Sequence, residues 1–186
     1  MHDYLLADGW DFDQIGIYDL SVAQAESLGD SLGRRGGTYR VHQDAESLVR
    51  ESDLIVFATV APEPYVHDPA WFDHGPLVLN VSLRDLAPAV ILSATNFVDD
   101  VDHCLRAGTS VHLTEQQTGN RDFLAGTLHD VLTGAAPVPA TGTVVFSPFG
   151  LGVLDLAVGK FAYDQVVRDG ELHTVDGFFH ELSRHG

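Results

Sequence analysis

The chain alternates short apolar runs with segments in which small and apolar residues recur at helical spacing. Residues 54–58 (LIVFA) and 77–81 (LVLNV) are almost continuously apolar, which is typical of strands buried on both faces of a parallel sheet. Residues 21–33 (SVAQAESLGDSLG) instead follow a helical pattern that begins with a capping serine. This alternation predicts an α/β fold, a Rossmann-like doubly wound parallel sheet.

The same patterns place the other elements. Residues 1–9 are interpreted as the end of a helix, because Gly9 is a typical helix stop. The predicted strands are 14–18, 38–42, 54–58, 77–81, 96–98 and 143–146, and the predicted helices are 21–33, 44–50, 88–93, 101–107, 121–132 and 151–167.

The last predicted helix, residues 151–167, is apolar nearly all round (LGVLDLAVGKFAYDQVV). Such a helix requires burial on most sides, more than one small α/β domain offers. Residues 134–142 (GAAPVPATG) have the composition of a linker. We therefore predict a first domain over residues 1–142 and a C-terminal segment, residues 143–186, whose strand and helix pack on another domain or subunit.

Composition narrows the function classes. The 186 residues carry 27 Asp and Glu against 10 Lys and Arg, a net charge of −17, which argues against binding nucleic acid or an anionic membrane. The single cysteine, Cys104, rules out a disulfide within this sequence and a cysteine-based zinc site. No secretory signal or membrane-spanning run is visible, so a cytoplasmic location is predicted.

Asp19 is the first candidate site residue, because it follows the strand at 14–18 and precedes a predicted helix. In dinucleotide-binding βαβ units an acid at this place binds the adenosine ribose, and a G-x-G-x-x-G loop lies about 20 residues earlier. The residues before Asp19 contain neither that loop nor a first strand. Two interpretations stay open: a ribose ligand, or an ordinary acid between a strand and a helix.

Further candidates follow the two apolar strands. Thr59 and Val60 come after 54–58, and Ser82, Arg84 and Asp85 come after 77–81. Ligands of open α/β sheets bind at the carboxyl ends of the strands, so these residues are expected at one crevice. An acid there can move protons in amine oxidation. The alternatives are an ordinary strand-to-loop threonine and a solvated Arg–Asp loop.

Residues 99–103 (DDVDH) resemble a metal-binding cluster, because three carboxylates and an imidazole lie close together in the sequence. They also stand at a predicted helix start, where the helix dipole favours acids. We favour the structural interpretation and predict no metal site.

Five stretches together resemble the ornithine cyclodeaminase/μ-crystallin family, most closely its diaminopropionate-pathway branch of NAD-dependent dehydrogenases. The resemblance spans nearly the whole chain in the family's order. The stretches are IGIYDLS (15–21), DLIVFATVAPEPYV (53–66), LVLNVSLRDLAP (77–88), NFVDDVDHCLRA (96–107) and VVFSPFGLGVLDLAVGKFAYD (144–164).

The resemblance implies an NAD-dependent oxidation of N-(2-amino-2-carboxyethyl)-glutamate to 2-oxoglutarate and 2,3-diaminopropionate, a precursor of siderophores and peptide antibiotics. It implies Asp85 as the catalytic acid, or Arg84 if the register of that loop shifts by one. The implied cofactor-binding residues are Asp19, Leu20, Ser21, Thr59, Val60, Ser82 and Pro148.

The family's N-terminal substrate and dimerisation domain is not in this sequence, and neither are its first Rossmann strand and glycine-rich loop. The resemblance therefore implies that the strand and apolar helix in residues 143–186 pack on that domain, and that the partner is a complementary N-terminal half or a second copy in a homodimer. The alternative is a non-catalytic nucleotide-binding or assembly subunit, or a degenerate remnant of such an enzyme.

Overall fold

The computed structural model describes residues 2–175. Helices and strands alternate along most of the chain, and a 3-10 helix lies at Pro69–Phe72. The elements are α1 His2–Ala7, β1 Ile15–Ile17, α2 Val22–Gly33, β2 Tyr39–Val41, α3 Ala45–Arg50, β3 Leu54–Phe57, β4 Leu77–Asn80, α4 Pro88–Leu92, β5 Thr95–Val98, α5 Val101–Cys104, α6 Ser110–Thr118, β6 Leu124–Thr127, α7 Leu128–Thr133, β7 Val144–Ser147 and α8 Gly152–Asp169.

The strands form two parallel sheets. β1 pairs with β2, and five further strands pair in the order β3-β4-β7-β5-β6. Every pairing in the larger sheet is parallel. Parallel strands joined through helices define an α/β fold of the Rossmann type, so the predicted fold class is confirmed.

The core of the larger sheet explains why the sequences of its strands are apolar. Val78 of β4, Val98 of β5 and Val145 of β7 are fully buried, as are Val90 and Ile91 of α4. Burial of such aliphatic side chains is the dominant favourable contribution to the fold. Because this core holds β3, β4 and β7 side by side, it also fixes the loops that follow them.

The smaller sheet has its own apolar cluster, in which Ile17 of β1 packs with Ala25 and Leu32 of α2. Gly29 lets α2 approach β2 closely, because a Cβ atom at this position would lie 2.3 Å from a ring carbon of Tyr39. The tyrosine hydroxyl also donates to Asp30 at 3.0 Å. α2 is therefore packed tightly against the strand pair that carries Asp19.

The strand predicted at 143–146 lies at the centre of the larger sheet, between β4 and β5. Assigning it to another domain was wrong, because its apolar residues complete this sheet's core. The described residues form two compact units that divide after Phe149, not after residue 142. The second unit contains α8, in which no residue is buried.

The predicted helix at 121–132 is also wrong. This segment contains β6, which pairs with β5, and then α7. Thr127 ends the strand and caps the helix through a reciprocal capping box with Asp130. The apolar residues of the two short elements run together in the sequence and imitate one helix.

Two further differences lie between β5 and β6. Helix α6, Ser110–Thr118, was not predicted because its sequence (SVHLTEQQT) is largely polar. Helix α5 ends at Cys104, not at residue 107, because Leu105 leaves the helical conformation with a ψ angle of 47°. Ala107 and Gly108 then adopt positive φ angles of 54° and 65°. Within residues 2–175, every helix falls short of the length and apolarity that a membrane crossing requires.

Candidate functional site

The carboxyl ends of three adjacent parallel strands bring most of the candidate residues together. β3, β4 and β7 are neighbours and run in the same direction. Thr59, Ser82 and Pro148 follow these strands, so they lie at one edge of the sheet, where ligands bind in α/β folds. The sequence-based expectation of a common crevice agrees with this topology.

A cavity of about 390 Å³ opens at this edge. It is formed by the two loops that follow β3 and β4, residues 59–62 and 81–84. Thr59, Val60, Ser82 and Arg84 all line it, and Val60 is fully exposed. Arg84 is the only ionisable residue in the lining, and its guanidinium donates to the carbonyls of Pro62 at 3.4 Å and Ala107 at 2.8 Å.

Asp85 lies beneath these loops and is fully buried. Its Oδ1 accepts a hydrogen bond from the hydroxyl of Thr59, and that hydroxyl accepts from the backbone N–H of Ala61 at 3.1 Å. The backbone carbonyl of Asp85 accepts from the N–H groups of Tyr65 and Val66 at 3.1 and 3.0 Å. Asp85 therefore holds the loop after β3 in place, and it does not line the 390 Å³ cavity.

The ionisation of Asp85 reflects this burial. Desolvation raises the pKa of its carboxyl above the ordinary value, although the hydrogen bond from Thr59 opposes the shift. Its Oδ2 atom is buried without a hydrogen-bond partner. The pKa of the nearby Tyr65 hydroxyl is also raised, first by burial and then by the charge of Asp85. A buried carboxyl in this setting retains its proton to a higher pH than a solvated one.

A second polar group, Asn80 with Ser147, connects β4 and β7 and was not predicted from the sequence. The buried Asn80 donates through Nδ2 to the hydroxyl of Ser147 at 3.3 Å, and its Oδ1 accepts from Ser82 at 3.5 Å. The only available signal was a polar residue at the carboxyl end of the apolar strand LVLN. Asn80 thereby couples the positions of the loops that carry Ser82 and Pro148.

Asp99 and Cys104 fix the loop after β7 from two sides. Both carboxylate oxygens of Asp99 accept from the N–H of Phe149 at 3.1 Å. The thiol of Cys104 lies 3.0 Å from Asp99 and 3.2 Å from the carbonyl of Ser147. Burial, reinforced by the hydrogen bond to Asp99, raises the pKa of this thiol to about 12. The hydrogen bonds at Ser147 and Phe149 lie on either side of Pro148 and fix its position in the loop.

The other residues of the DDVDH segment have separate structural roles. Asp100 caps α5 by accepting from the N–H of His103 at 2.8 Å. Asp102 pairs with Arg121 at 3.2 Å. In the part of the chain that the structure describes, no group of three His, Cys, Asp or Glu residues is arranged to hold a metal ion.

Asp19, Leu20 and Ser21 follow β1 at the start of α2. All three are exposed, and the carboxylate of Asp19 accepts from the backbone N–H of Ser21 at 2.7 Å. Ser21 stands at the N-cap position without a capping bond from its side chain. An exposed carboxylate held between a strand end and a helix start has the chemistry to accept hydrogen bonds from a ribose diol.

These features define a Rossmann-like unit with a ligand crevice at the carboxyl edge of its sheet. Residues 3–170 match the model of the ornithine cyclodeaminase/mu-crystallin family. The chain belongs to this family.

Individual relatives agree with this assignment. The ketimine reductase mu-crystallin of Rattus norvegicus is 26% identical over 168 residues, which cover 88% of this chain and 50% of the rat protein. The chain therefore spans about half the length of this curated relative.

Two solved structures extend the comparison. The structure of CmnK is 31% identical with a TM-score of 0.80, covering 96% of this chain and 54% of CmnK. The Thermococcus litoralis Δ1-pyrroline-2-carboxylate reductase, solved with NADH and L-proline, has a TM-score of 0.85 at 17% identity, covering 94% of this chain and 56% of that protein. At that identity the second structure bears on the fold alone.

Proposed function

We propose that this chain supplies the nucleotide-binding part of an NAD-dependent amino-acid oxidoreductase. The convergence of Thr59, Ser82 and Pro148 at one edge of a Rossmann-like sheet carries the proposal. Membership of a family with a ketimine reductase, and likeness in fold to a reductase solved with NADH, support it.

The residues present fit NAD at two places. The exposed carboxylate of Asp19 accepts hydrogen bonds from the ribose diol and repels the additional phosphate of NADP. The cavity beside Thr59, Val60 and Ser82 offers apolar contact together with hydroxyl groups. Bound at these residues, NAD would supply the acceptor for a hydride from the amine-bearing carbon of the substrate.

The chain's own residues position these ligands. Asp85 holds Thr59 and the loop after β3, while Asn80, Asp99 and Cys104 hold the loops after β4 and β7. Asp85 as the catalytic acid stays a prediction. In that role the loop at 59–62 must move, because Asp85 is fully buried.

The proposed substrate is N-(2-amino-2-carboxyethyl)-glutamate, oxidised to 2,3-diaminopropionate and 2-oxoglutarate for siderophore or peptide natural-product biosynthesis. The five stretches that together resemble the family, most closely its diaminopropionate branch, support this choice.

The proposed partner is an N-terminal substrate domain or a second copy of the chain. Helix α8 supports this, because large apolar side chains are exposed along it: Val153, Leu154, Leu156, Val158, Phe161 and Tyr163. Exposed apolar surface of this extent marks an interaction site. Phe161→Asp should weaken association with the complementary half or with a second copy in analytical ultracentrifugation, whereas Asp169→Asn, a change of an exposed polar residue at the end of the same helix, should not.

The decisive experiment measures NADH and NADPH binding by fluorescence, with and without a complementary N-terminal half. We expect NADH to bind more tightly than NADPH, and Asp19→Asn to abolish that preference. Asp13→Asn is the matched control, since Asp13 is an exposed acid before β1. If the assembled protein binds neither nucleotide, the proposal is wrong.

Turnover separates the enzyme from the alternative. With N-(2-amino-2-carboxyethyl)-glutamate, the assembled protein should produce NADH, measured at 340 nm. Tight NADH binding without turnover of any amino acid would favour the non-catalytic nucleotide-binding subunit.

A further inference from the structure

Arg84 lines the 390 Å³ cavity without an acidic partner in the described part of the chain, in a protein of net charge −17. Among the described residues, five of the nine Lys and Arg side chains pair with acids, namely Arg35, Arg40, Arg50, Arg121 and Lys160. The other four are Arg34, Arg84, Arg106 and Arg168, and of these only Arg84 lines the 390 Å³ cavity. Arg84 has no acidic partner within residues 2–175, and its two hydrogen bonds are to the backbone carbonyls of Pro62 and Ala107. Carbonyl groups orient a guanidinium but do not neutralise it.

The adjacent acid does not neutralise this charge either. The side chain of Asp85 is engaged with Thr59, beneath the loops, and not with Arg84. The other residues that line the 390 Å³ cavity are uncharged, so Arg84 supplies the only charge in its lining. A cation in a half-enclosed cavity is screened less than one on an open surface.

Arg84 also has N–H groups that are not used in hydrogen bonds to the described residues. A guanidinium offers more N–H groups than two carbonyls use, in a planar arrangement that matches an oxyanion. Its Nε is buried and has no partner, and buried donors in folded proteins are nearly always satisfied. The two carbonyl bonds fix the guanidinium in advance, which reduces the entropy lost when a ligand binds.

We propose that Arg84 is an oxyanion-binding residue of this cavity, and that it takes the carboxylate of an acidic substrate or a phosphate of the nucleotide. Only the choice between these two sources rests on the proposed function; the anion site itself does not. The site would give the crevice a preference for acidic ligands that the remainder of this strongly negative chain disfavours.

The test is an NMR titration of the ¹⁵N-labelled chain, observing the arginine Nε–H signals. Loss of one signal in Arg84→Lys assigns the reporter, and the signal of Arg106, an exposed arginine whose Nε donates to the carbonyl of Asp102, is the internal control. The probes are glutarate and inorganic phosphate, each compared with sodium chloride at equal ionic strength.

We expect a saturable shift of the Arg84 signal with at least one probe and no comparable shift of the Arg106 signal. A stronger response to glutarate assigns the site to a substrate carboxylate, and a stronger response to phosphate assigns it to the nucleotide. In Arg84→Met, binding followed at the amides of Val60 and Ser82 should weaken about tenfold or more, as expected for loss of a charge-assisted hydrogen bond.

Equal responses to both probes and to chloride would overturn the proposal. That conclusion needs only the wild-type chain, so it stands even if Arg84→Met fails to fold. Because the titration contains no nucleotide, a positive result together with failed NADH binding would retain the anion site and reject the proposed function.

Discussion

Asp99 provides the sharpest test of how the site is held together. In Asp99→Ala the backbone N–H of Phe149 loses a charged acceptor that it contacts at 3.1 Å through both oxygens. A hydrogen bond to a charged group contributes about 1.5–3 kcal/mol. The backbone N–H of Asp100 also loses Asp99 as an acceptor, at 2.8 Å. The thiol of Cys104 keeps the Ser147 carbonyl at 3.2 Å, so the loss of its contact with Asp99 adds little.

We therefore expect Asp99→Ala to lower the free energy of unfolding by about 2 kcal/mol and Tm by about 4–8 °C. The assay is urea unfolding followed by tryptophan fluorescence. Amide hydrogen exchange at Phe149 should accelerate in the same variant, because the loop after β7 is no longer fixed.

Asp102→Ala is the matched control from the same acidic segment. Asp102 is exposed, and Arg121 retains its pairing with Glu115 at 2.7 Å when Asp102 is removed. An exposed ion pair of this kind contributes less than about 1 kcal/mol. If Asp99→Ala and Asp102→Ala have equal stability, and the Phe149 amide exchanges at the wild-type rate, the assigned role of Asp99 is refuted.

Three other predictions concern buried groups. The raised pKa of Asp85 means that its ionisation opposes folding as the pH rises above about 3.8. Asp85→Asn should therefore gain stability relative to wild type as the pH rises from this value; a pH-independent difference in urea unfolding would contradict this. Cys104, with its pKa raised to about 12, should resist iodoacetamide in the folded chain and react in urea, as mass spectrometry can show. Gly29→Ala should lower the free energy of unfolding by about 1–3 kcal/mol, because the new methyl group collides with the Tyr39 ring. Gly33→Ala, whose new Cβ atom would lie 3.2 Å from the same ring, should lower Tm less in thermal unfolding. Equal Tm values for the two variants would argue against the collision.

The sequence by itself determined the fold class and the strands that carry the site. Residues 54–58 and 77–81 could be predicted as strands because a strand buried on both faces is apolar at nearly every position. The rule that ligands bind at the carboxyl ends of such strands then placed Thr59 and Ser82 at one edge. Both inferences depend only on local composition and chain order.

Only the tertiary structure decided strand order and which side chains meet. β7 lies between β4 and β5 because pairing joins residues far apart in sequence, and local pattern had assigned this strand to another domain. Likewise, the sequence could not distinguish Asp85, which is buried against Thr59, from its neighbour Arg84, which lines the cavity. Burial and hydrogen bonding are properties of the packed chain, and adjacent residues of one loop can differ completely in both.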